Sequence, residues 1–305
     1  MTVSPGDSML KRTVKEGEPS GYFRFRGSLW LVASILVFSL VGCATTPPRA
    51  PGVAAAWLGG KPRVVVRIDA AQVTAWGQVT KNREELKAVG NRTQIVWLGF
   101  ELEHLDDLRN AADTMRVVLE GDFPKAAAGL MLDFNGSWKK ESDKAVWTNP
   151  RLALSISLPE DGLVTVRRHD PALAAPSEGV LRDLDPAALV RTAVWVSFWD
   201  PGQALFGTTG AKLLPVERMD VILNAGDGGL EGPVVLRFSD ERAARAAAVL
   251  LKLFSSQIRA RLGQDLDWTV EGSQIVGATL RIKQEDLKVL AEKLVADPVP
   301  PEDNP

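Results

Sequence analysis

The sequence predicts an α+β fold of two related modules, in which amphipathic helices pack on one face of antiparallel strands. Three observations support this class. Runs of β-branched residues recur in both halves, turn residues separate them at short intervals, and helical apolar periodicity lies between the strand pairs. Apolar residues make up 45% of the 305-residue chain and charged residues 24%, which is the composition of a globular protein with room for two domains.

The first predicted module covers residues 61–170. It opens with the β-branched run VVVRI at 64–68, followed by interrupted helical spacing over 70–89. A short helix is predicted at about 125–133. Apolar residues at 152, 154, 156 and 158 alternate and predict a strand with one buried face. The remaining predicted strands are 93–102, 114–120, 145–148 and 162–168.

A linker rich in proline, alanine and aspartate is predicted at 171–186, and the second module covers 187–297. Its first segment, AALVRTAVWVSFW at 187–199, fits a buried helix or a strand, because periodicity does not separate the two. The order that follows is ββαββα, with strands at 218–225, 233–238, 266–271 and 274–282 and helices at 240–262 and 284–295. Residues 298–305 are predicted to be a disordered tail.

The amino terminus has the pattern of a targeting segment. Basic residues are followed by a 14-residue run without ionisable side chains, SLWLVASILVFSLV. As a helix this run spans about 21 Å, which is short of the roughly 30 Å hydrocarbon core of a bilayer. The next residues, Leu40-Val41-Gly42-Cys43, resemble the lipobox of bacterial lipoproteins. The alternative is a cytosolic protein in which a chance apolar stretch ends in a buried cysteine.

The lipobox resemblance implies cleavage before Cys43 and acylation of its sulfur. Residues 1–42 would then be a signal peptide and residues 43–60 a lipidated tether. Two or three acyl chains hold a protein stably on a membrane, whereas one holds it only marginally. Ala44 stands where an aspartate would signal inner-membrane retention, so we expect a periplasm-facing anchor in the outer rather than the inner membrane.

Composition and motifs limit the function classes. A single cysteine excludes an internal disulfide framework, and the net charge of −2 gives no general footprint for nucleic acid. The densest ionisable cluster, around Glu101 and His104, is expected to be a solvated strand end and not a metal site. No hydrolase, zinc or phosphate-loop motif is present. We therefore predict a non-enzymatic protein without cofactor or metal, with an envelope hydrolase lacking a recognisable motif as an alternative.

Two segments are candidates for contact with a membrane or ligand. The predicted helix 240–262 has an apolar stripe bordered by arginine and lysine, which suits an anionic membrane surface or packing on a sheet. The stripe is formed by Ala243, Ala247, Leu250, Phe254 and Ile258, and it is widened by Val249, Leu251 and Leu253. Trp195 and Trp199 are four residues apart and would share one face of a helix, where tryptophan suits either a core or a membrane interface.

Strand pairs and long amphipathic helices behind a lipobox resemble bacterial envelope lipoproteins of unassigned activity. They are also similar to spirochaetal outer-membrane-associated lipoproteins with amphipathic helices, a resemblance that implies lipid carriage or membrane insertion. The predicted function is a lipid-anchored, non-enzymatic envelope protein. It would hold the membrane through acylated Cys43 and bind a lipid, another apolar ligand or an envelope protein. The alternative is a lipid-carrying or membrane-inserting protein that acts through helix 240–262.

Overall fold

A computed structural model describes residues 53–60, 62–73, 91–101, 114–141, 145–151, 153–168, 189, 191–202, 212, 214–253, 259 and 267–286. The predicted signal peptide, Cys43, linker and carboxyl-terminal tail lie outside these residues. Phe254 and Ile258 also lie outside them. Their predicted roles therefore remain predictions.

Twelve strands in the described residues form one antiparallel sheet with the order β11-β12-β10-β9-β8-β1-β2-β3-β7-β6-β5-β4. Mixed α+β structure is confirmed, with the sheet dominating. The strands are β1 (Val64–Asp69), β2 (Thr93–Phe100), β3 (Arg116–Gly121), β4 (Lys139–Lys140), β5 (Val146–Asn149), β6 (Leu154–Ser157), β7 (Leu163–Arg168), β8 (Val194–Trp199), β9 (Arg218–Gly226), β10 (Gly229–Arg237), β11 (Trp268–Glu271) and β12 (Gln274–Lys283).

The segment at 187–199, which sequence left open between helix and strand, contains β8. This strand joins the two predicted modules into one sheet, because it pairs with β1 on one side and β9 on the other. The predicted order ββαββα is therefore incomplete. The described second half runs from β8 through β9 and β10, continues through one helix, and ends with β11 and β12.

The elements of the described residues include three helical segments besides the sheet. They are a 3₁₀ helix (Ala54–Leu58), α1 (Lys125–Phe134) and α2 (Glu241–Leu253). Helix α2 begins where predicted: the Ala243 amide donates a hydrogen bond of 2.8 Å to the Asp240 side chain, which satisfies one of the unpaired N–H groups of the first turn.

The sheet has two faces that we name by what covers them. The helix face includes Val66, Val196 and Val221, which are aligned across β1, β8 and β9. Both α1 and α2 pack on this face. Their buried residues share clusters with strand residues of that parity: Ala128 and Leu132 of α1 with Leu119 and Val164, and a stripe of α2 with residues that include Val234, Leu236 and Ile275.

The opposite side, the 3₁₀ face, includes Val65, Trp97, Val118 and Trp195. These residues alternate along their strands with those of the helix face. Ala54, Ala55 and Leu58 of the 3₁₀ helix are fully buried against them. Residues 53–60 consequently belong to the folded body, and the predicted tether extended too far toward β1. Two alanines let the short helix approach the tryptophan rings closely.

Polar side chains are buried in the sheet on the 3₁₀ face. Their strand positions alternate with those of the apolar helix face. The prediction of one buried face for the strand around residue 156 is wrong, because all four residues of β6 are buried. The buried polar residues of this face are Arg67, Glu120, Ser155, Ser157, Thr165, Arg167, Ser197, Arg218 and Asp220.

Candidate functional site

Trp195 and Trp199 share one face of strand β8, with Val196 and Phe198 on the other. Trp195 is 3% exposed and belongs to the cluster that contains Trp97. In this conformation its ring is not available to a membrane. Trp199 is half-buried and packs against the same cluster from its border, so it is the more accessible of the pair.

Helix α2 buries a stripe that overlaps the predicted one only in part, since Ala247 is common to both and Ala243 packs at the border of the buried cluster. Ala244, Ala247, Ala248 and Leu251 are buried, whereas Leu250 is half-buried. Because three of these buried residues are alanines, the helix can pack close to the sheet. The result is that Val249 and Leu253 point outward, with 60% and 71% of their surface exposed.

Helix α1 repeats this arrangement. Leu130 and Phe134 are 57% and 84% exposed, one helical turn apart, on the side away from the sheet. We call Leu130, Phe134, Val249 and Leu253 the outer apolar residues. Their common exposure on two helices of one sheet face marks that face as a candidate interaction surface.

The two helices differ in charge around the outer apolar residues. Helix α2 exposes Arg242, Arg245 and Lys252, and Arg245 pairs with Glu241 one turn earlier. On α1 the exposed carboxylate of Asp133 accepts a 2.8 Å hydrogen bond from the Trp147 indole. The α2 part of the surface is therefore basic, which suits an anionic partner.

On the opposite face, two arginines hold the segment that leads into β1. Arg116 Nη1 donates a 2.7 Å hydrogen bond to the Gly59 carbonyl and Nη2 lies 2.8 Å from Glu101. Arg167 Nη2 donates to the carbonyls of Leu58 and Trp57, at 3.3 and 3.4 Å. We call Arg116 and Arg167 the arginine clamp. It satisfies carbonyls at the end of the 3₁₀ helix, where backbone acceptors lack helical partners.

The chain leaves the clamp through two glycines with positive φ. Gly59 and Gly60 both have φ of 62°, a region that other residues adopt only with strain. A Cβ atom at Gly60 would lie 1.9 Å from Arg116 Nη1. The predicted tether at 43–60 included this glycine pair, and the prediction did not single out Trp57 or either clamp arginine. The available signal was the glycine pair itself, separated from β1 by three residues.

A charged network crosses the middle strands of the second half. The Asp220 carboxylate is 1% exposed and accepts hydrogen bonds from Ser197 Oγ at 2.7 Å, Arg237 Nε at 2.9 Å and Arg218 Nε at 3.1 Å. These contacts join β8, β9 and β10. Because the carboxylate is saturated by donors, its geometry suits a structural role.

Arg67 is a second buried cation on the 3₁₀ face. It donates a 2.6 Å hydrogen bond to the Thr192 carbonyl and lies 6.0 Å from the Trp97 ring centre. Burial lowers the pKa of the Arg67 guanidinium below its ordinary value, while the charges of Asp69 and Glu120 oppose that shift. These contacts tie β1 to the chain just before β8.

Two further features of the described residues concern metal binding and membrane-spanning helices. Within the described residues, no three His, Cys, Asp or Glu side chains gather in a way that could hold a metal ion, and no helix has the length and apolar character to cross a membrane. Of the acidic cluster singled out in the sequence, Glu101 is described and pairs with Arg116, whereas His104 lies outside the described residues.

Comparison with solved structures identifies a related fold. One crystal form of TP0453, a spirochaetal (Treponema) outer-membrane-associated lipoprotein, aligns with a TM-score of 0.51 and 15% identity over 84% of this chain and all of that chain. Another crystal form gives 0.50 and 16% over 80% and 99%. No protein-family model and no curated protein matches the chain. At this identity the comparison shows a shared fold.

Proposed function

We propose that this protein is a lipid-anchored, non-enzymatic protein of the bacterial cell envelope that binds an apolar ligand or a protein partner through its folded body. The observation that carries the proposal is the position of the lipobox cysteine. Cys43 stands ten residues before Val53, where the described fold begins with a helix clamped to the sheet. The fold shared with TP0453, itself a lipoprotein, supports the same conclusion.

The anchor is tested with the full-length chain in a bacterium that processes lipoproteins. Intact mass spectrometry should find a mature chain that begins at Cys43 and carries acyl chains, in the membrane fraction. Cys43→Ala is the control and should be unacylated. A native chain that keeps its leader or an unmodified thiol would reject the proposal. Fractionation of inner and outer membranes tests the expected outer-membrane position.

The binding role is supported by the outer apolar residues, which expose large side chains on the outside of both helices. The Cys43→Ala body should therefore retain a bound lipid or capture a protein partner. Native mass spectrometry distinguishes these outcomes: a lipid mass favours an apolar ligand, while a ligand-free mass directs the search to proteins. A body that binds neither lipid nor protein would contradict a binding role.

Membrane insertion through helix 240–262 is the second candidate. It is favoured by Val249 and Leu253, which are exposed on a helix that also exposes Arg242, Arg245 and Lys252, because apolar contact and attraction to anionic lipids both strengthen binding to a membrane surface. The Cys43→Ala body should then float with anionic liposomes, and Val249→Asp should abolish flotation. Thr279→Asp, on an exposed strand position, is the charge-matched control. Flotation that Val249→Asp does not change would reject this role.

We also infer that the two halves are copies of one module. In the first half the last strand, β7, returns beside β3, and in the second the last strand, β12, returns beside β10, so both halves share this feature although the first has two more strands at its edge. Along the sequence, each half has one helix after its third strand: α1 lies between β3 and β4, and α2 lies between β10 and β11. The outer apolar residues occur at the carboxyl-terminal end of both helices. Separate expression of each half tests whether either one folds alone.

A further inference from the structure

The predicted membrane contacts lie on opposite sides of the sheet. Trp199 is on the 3₁₀ face and the exposed residues of α2 are beyond the helix face. A flat bilayer that touches one of these faces does not touch the other. The structure therefore raises the question of which face is turned toward the membrane that holds the acyl anchor.

The attachment point of the tether is fixed on the 3₁₀ face. The 3₁₀-helix residues Ala54, Ala55 and Leu58 are fully buried. The arginine clamp donates hydrogen bonds to the carbonyls at the end of this helix. The tether consequently ends at about Val53. The 3₁₀ helix lies over β2, β3 and β7, which are inner strands of the sheet.

The reach of the tether is short in comparison with the body. Ten residues from Cys43 to Val53 extend at most about 36 Å, and β3, which the 3₁₀ helix contacts, lies four strand spacings, roughly 19 Å, from the nearer edge of the sheet at β4. For the helix face to touch the same bilayer, the tether would have to run along the 3₁₀ face to an edge of the sheet. It would then have to extend past the thickness of the sheet and of one helix, whose diameter is about 10–12 Å. That path uses most of the extended length. Direct approach of the 3₁₀ face does not.

Side chains around the attachment point suit a lipid interface. Val53 is 44% exposed, and Trp57 and Trp199 are half-buried at the border of the cluster on this face. Tryptophan favours the region between lipid tails and water, because its ring is apolar and its N–H needs a polar partner. Val53 and Trp57 lie close in sequence to the end of the tether, where the bilayer is nearest.

We propose that the anchoring bilayer contacts the 3₁₀ face at Val53, Trp57 and Trp199, and that the arginine clamp holds the body in this orientation with the helix face turned away. This inference rests on the proposed acylation of Cys43. Its consequence is that the outer apolar residues face the periplasm, where they are accessible to a ligand or partner that is not the anchoring membrane.

The test measures which tryptophans reach the lipid. The acylated full chain is placed in phosphatidylcholine vesicles whose chains are brominated, since bromine quenches tryptophan at close range. The double variant Trp57→Phe/Trp199→Phe should lose at least half of the quenching. Trp147→Phe, which removes a ring that is 3% exposed beneath α1, is the matched control and should lose none. Near-ultraviolet circular dichroism checks that each variant is folded.

A reporter on the other face completes the test. Phe134→Trp places an indole on the most exposed of the outer apolar residues, and it should add emission that brominated lipid does not quench. Strong quenching of this reporter would overturn the orientation, as would a double variant quenched as much as the native chain, or no quenching at all. Acylation is established beforehand by intact mass. An unacylated chain would reject the proposed function, whereas a vesicle-bound chain with a quenched reporter would reject the orientation alone.

Discussion

The helix face and the 3₁₀ face of the sheet both bury side chains, but they are stabilised by different chemistry. Under α1 and α2 the strands present almost entirely apolar side chains, and the helices expose apolar residues on their outer surfaces. Under the 3₁₀ helix, arginines and hydroxyls are buried beside tryptophan. Apolar packing tolerates many partners, whereas buried polar groups need specific ones. The 3₁₀ face is therefore expected to be the less tolerant of substitution.

The largest effect should come from the charged network of the 3₁₀ face. Asp220→Asn leaves two guanidinium groups beside a neutral amide in a buried site, and loss of one member of a buried charged network costs about 3–5 kcal/mol. Urea unfolding of the Cys43→Ala body measures the change. Asp227→Asn, in the exposed turn between β9 and β10, is the control and should change stability by at most about 0.5 kcal/mol. Equal stability of the two variants would remove the proposed difference between the faces.

The next prediction compares one buried leucine from each covering layer. Leu58 of the 3₁₀ helix is 0% exposed and Leu132 of α1 is 1% exposed. Truncation of either to alanine should lower the free energy of unfolding by about 2–5 kcal/mol, since each leaves a cavity in a packed cluster. A cost below about 1 kcal/mol for Leu58→Ala, with the full cost for Leu132→Ala, would mean that residues 53–60 are tether after all.

The α+β class and most strands could be predicted because alternation and turn residues are local signals. The run at 64–68 became β1, and the hairpin after residue 217 became β9 and β10. The 3₁₀ helix could not be predicted in this way, since five residues carry no periodicity and the helix is held by residues distant along the chain: Trp97 and its neighbours in the buried cluster, and the arginine clamp. The buried stripe of α2 could be predicted only in part: Ala247 and Leu251 are buried, but contact with the sheet also buries Ala244 and Ala248 and leaves Leu250 half-buried.

The arginine clamp should give an intermediate effect. Arg116→Met keeps the apolar stem but removes the hydrogen bond to Gly59 and the ion pair with Glu101. Charged hydrogen bonds of this kind contribute about 1.5–3 kcal/mol. Arg245→Met, which breaks an exposed pair with Glu241 one turn earlier in α2, should cost only about 0.3–0.5 kcal/mol. Thermal unfolding measures both variants, and faster proteolysis before β1 should accompany Arg116→Met alone.

The smallest effect on stability is expected on the helix face, at residues where we expect the largest effect on binding. Val249→Ser and Leu253→Ser replace side chains that are 60% and 71% exposed, so each should change the free energy of unfolding by at most about 0.5 kcal/mol. Leu251→Ser, at a buried position of the same helix, is the matched control and should destabilise the body strongly, because it places a hydroxyl in an apolar cluster and leaves a cavity.

The same two variants connect stability with binding. If the outer apolar residues form the interaction surface, the folded Val249→Ser/Leu253→Ser double variant should lose the lipid or partner that the Cys43→Ala body retains, as measured by native mass spectrometry. Its loss without unfolding would assign binding to the helix face and leave the 3₁₀ face with attachment to the membrane. Retention of the ligand at native affinity would instead contradict this division of roles, because the outer apolar residues, which are four of the five exposed large hydrophobic residues in the described part of the chain, would then have no part in binding.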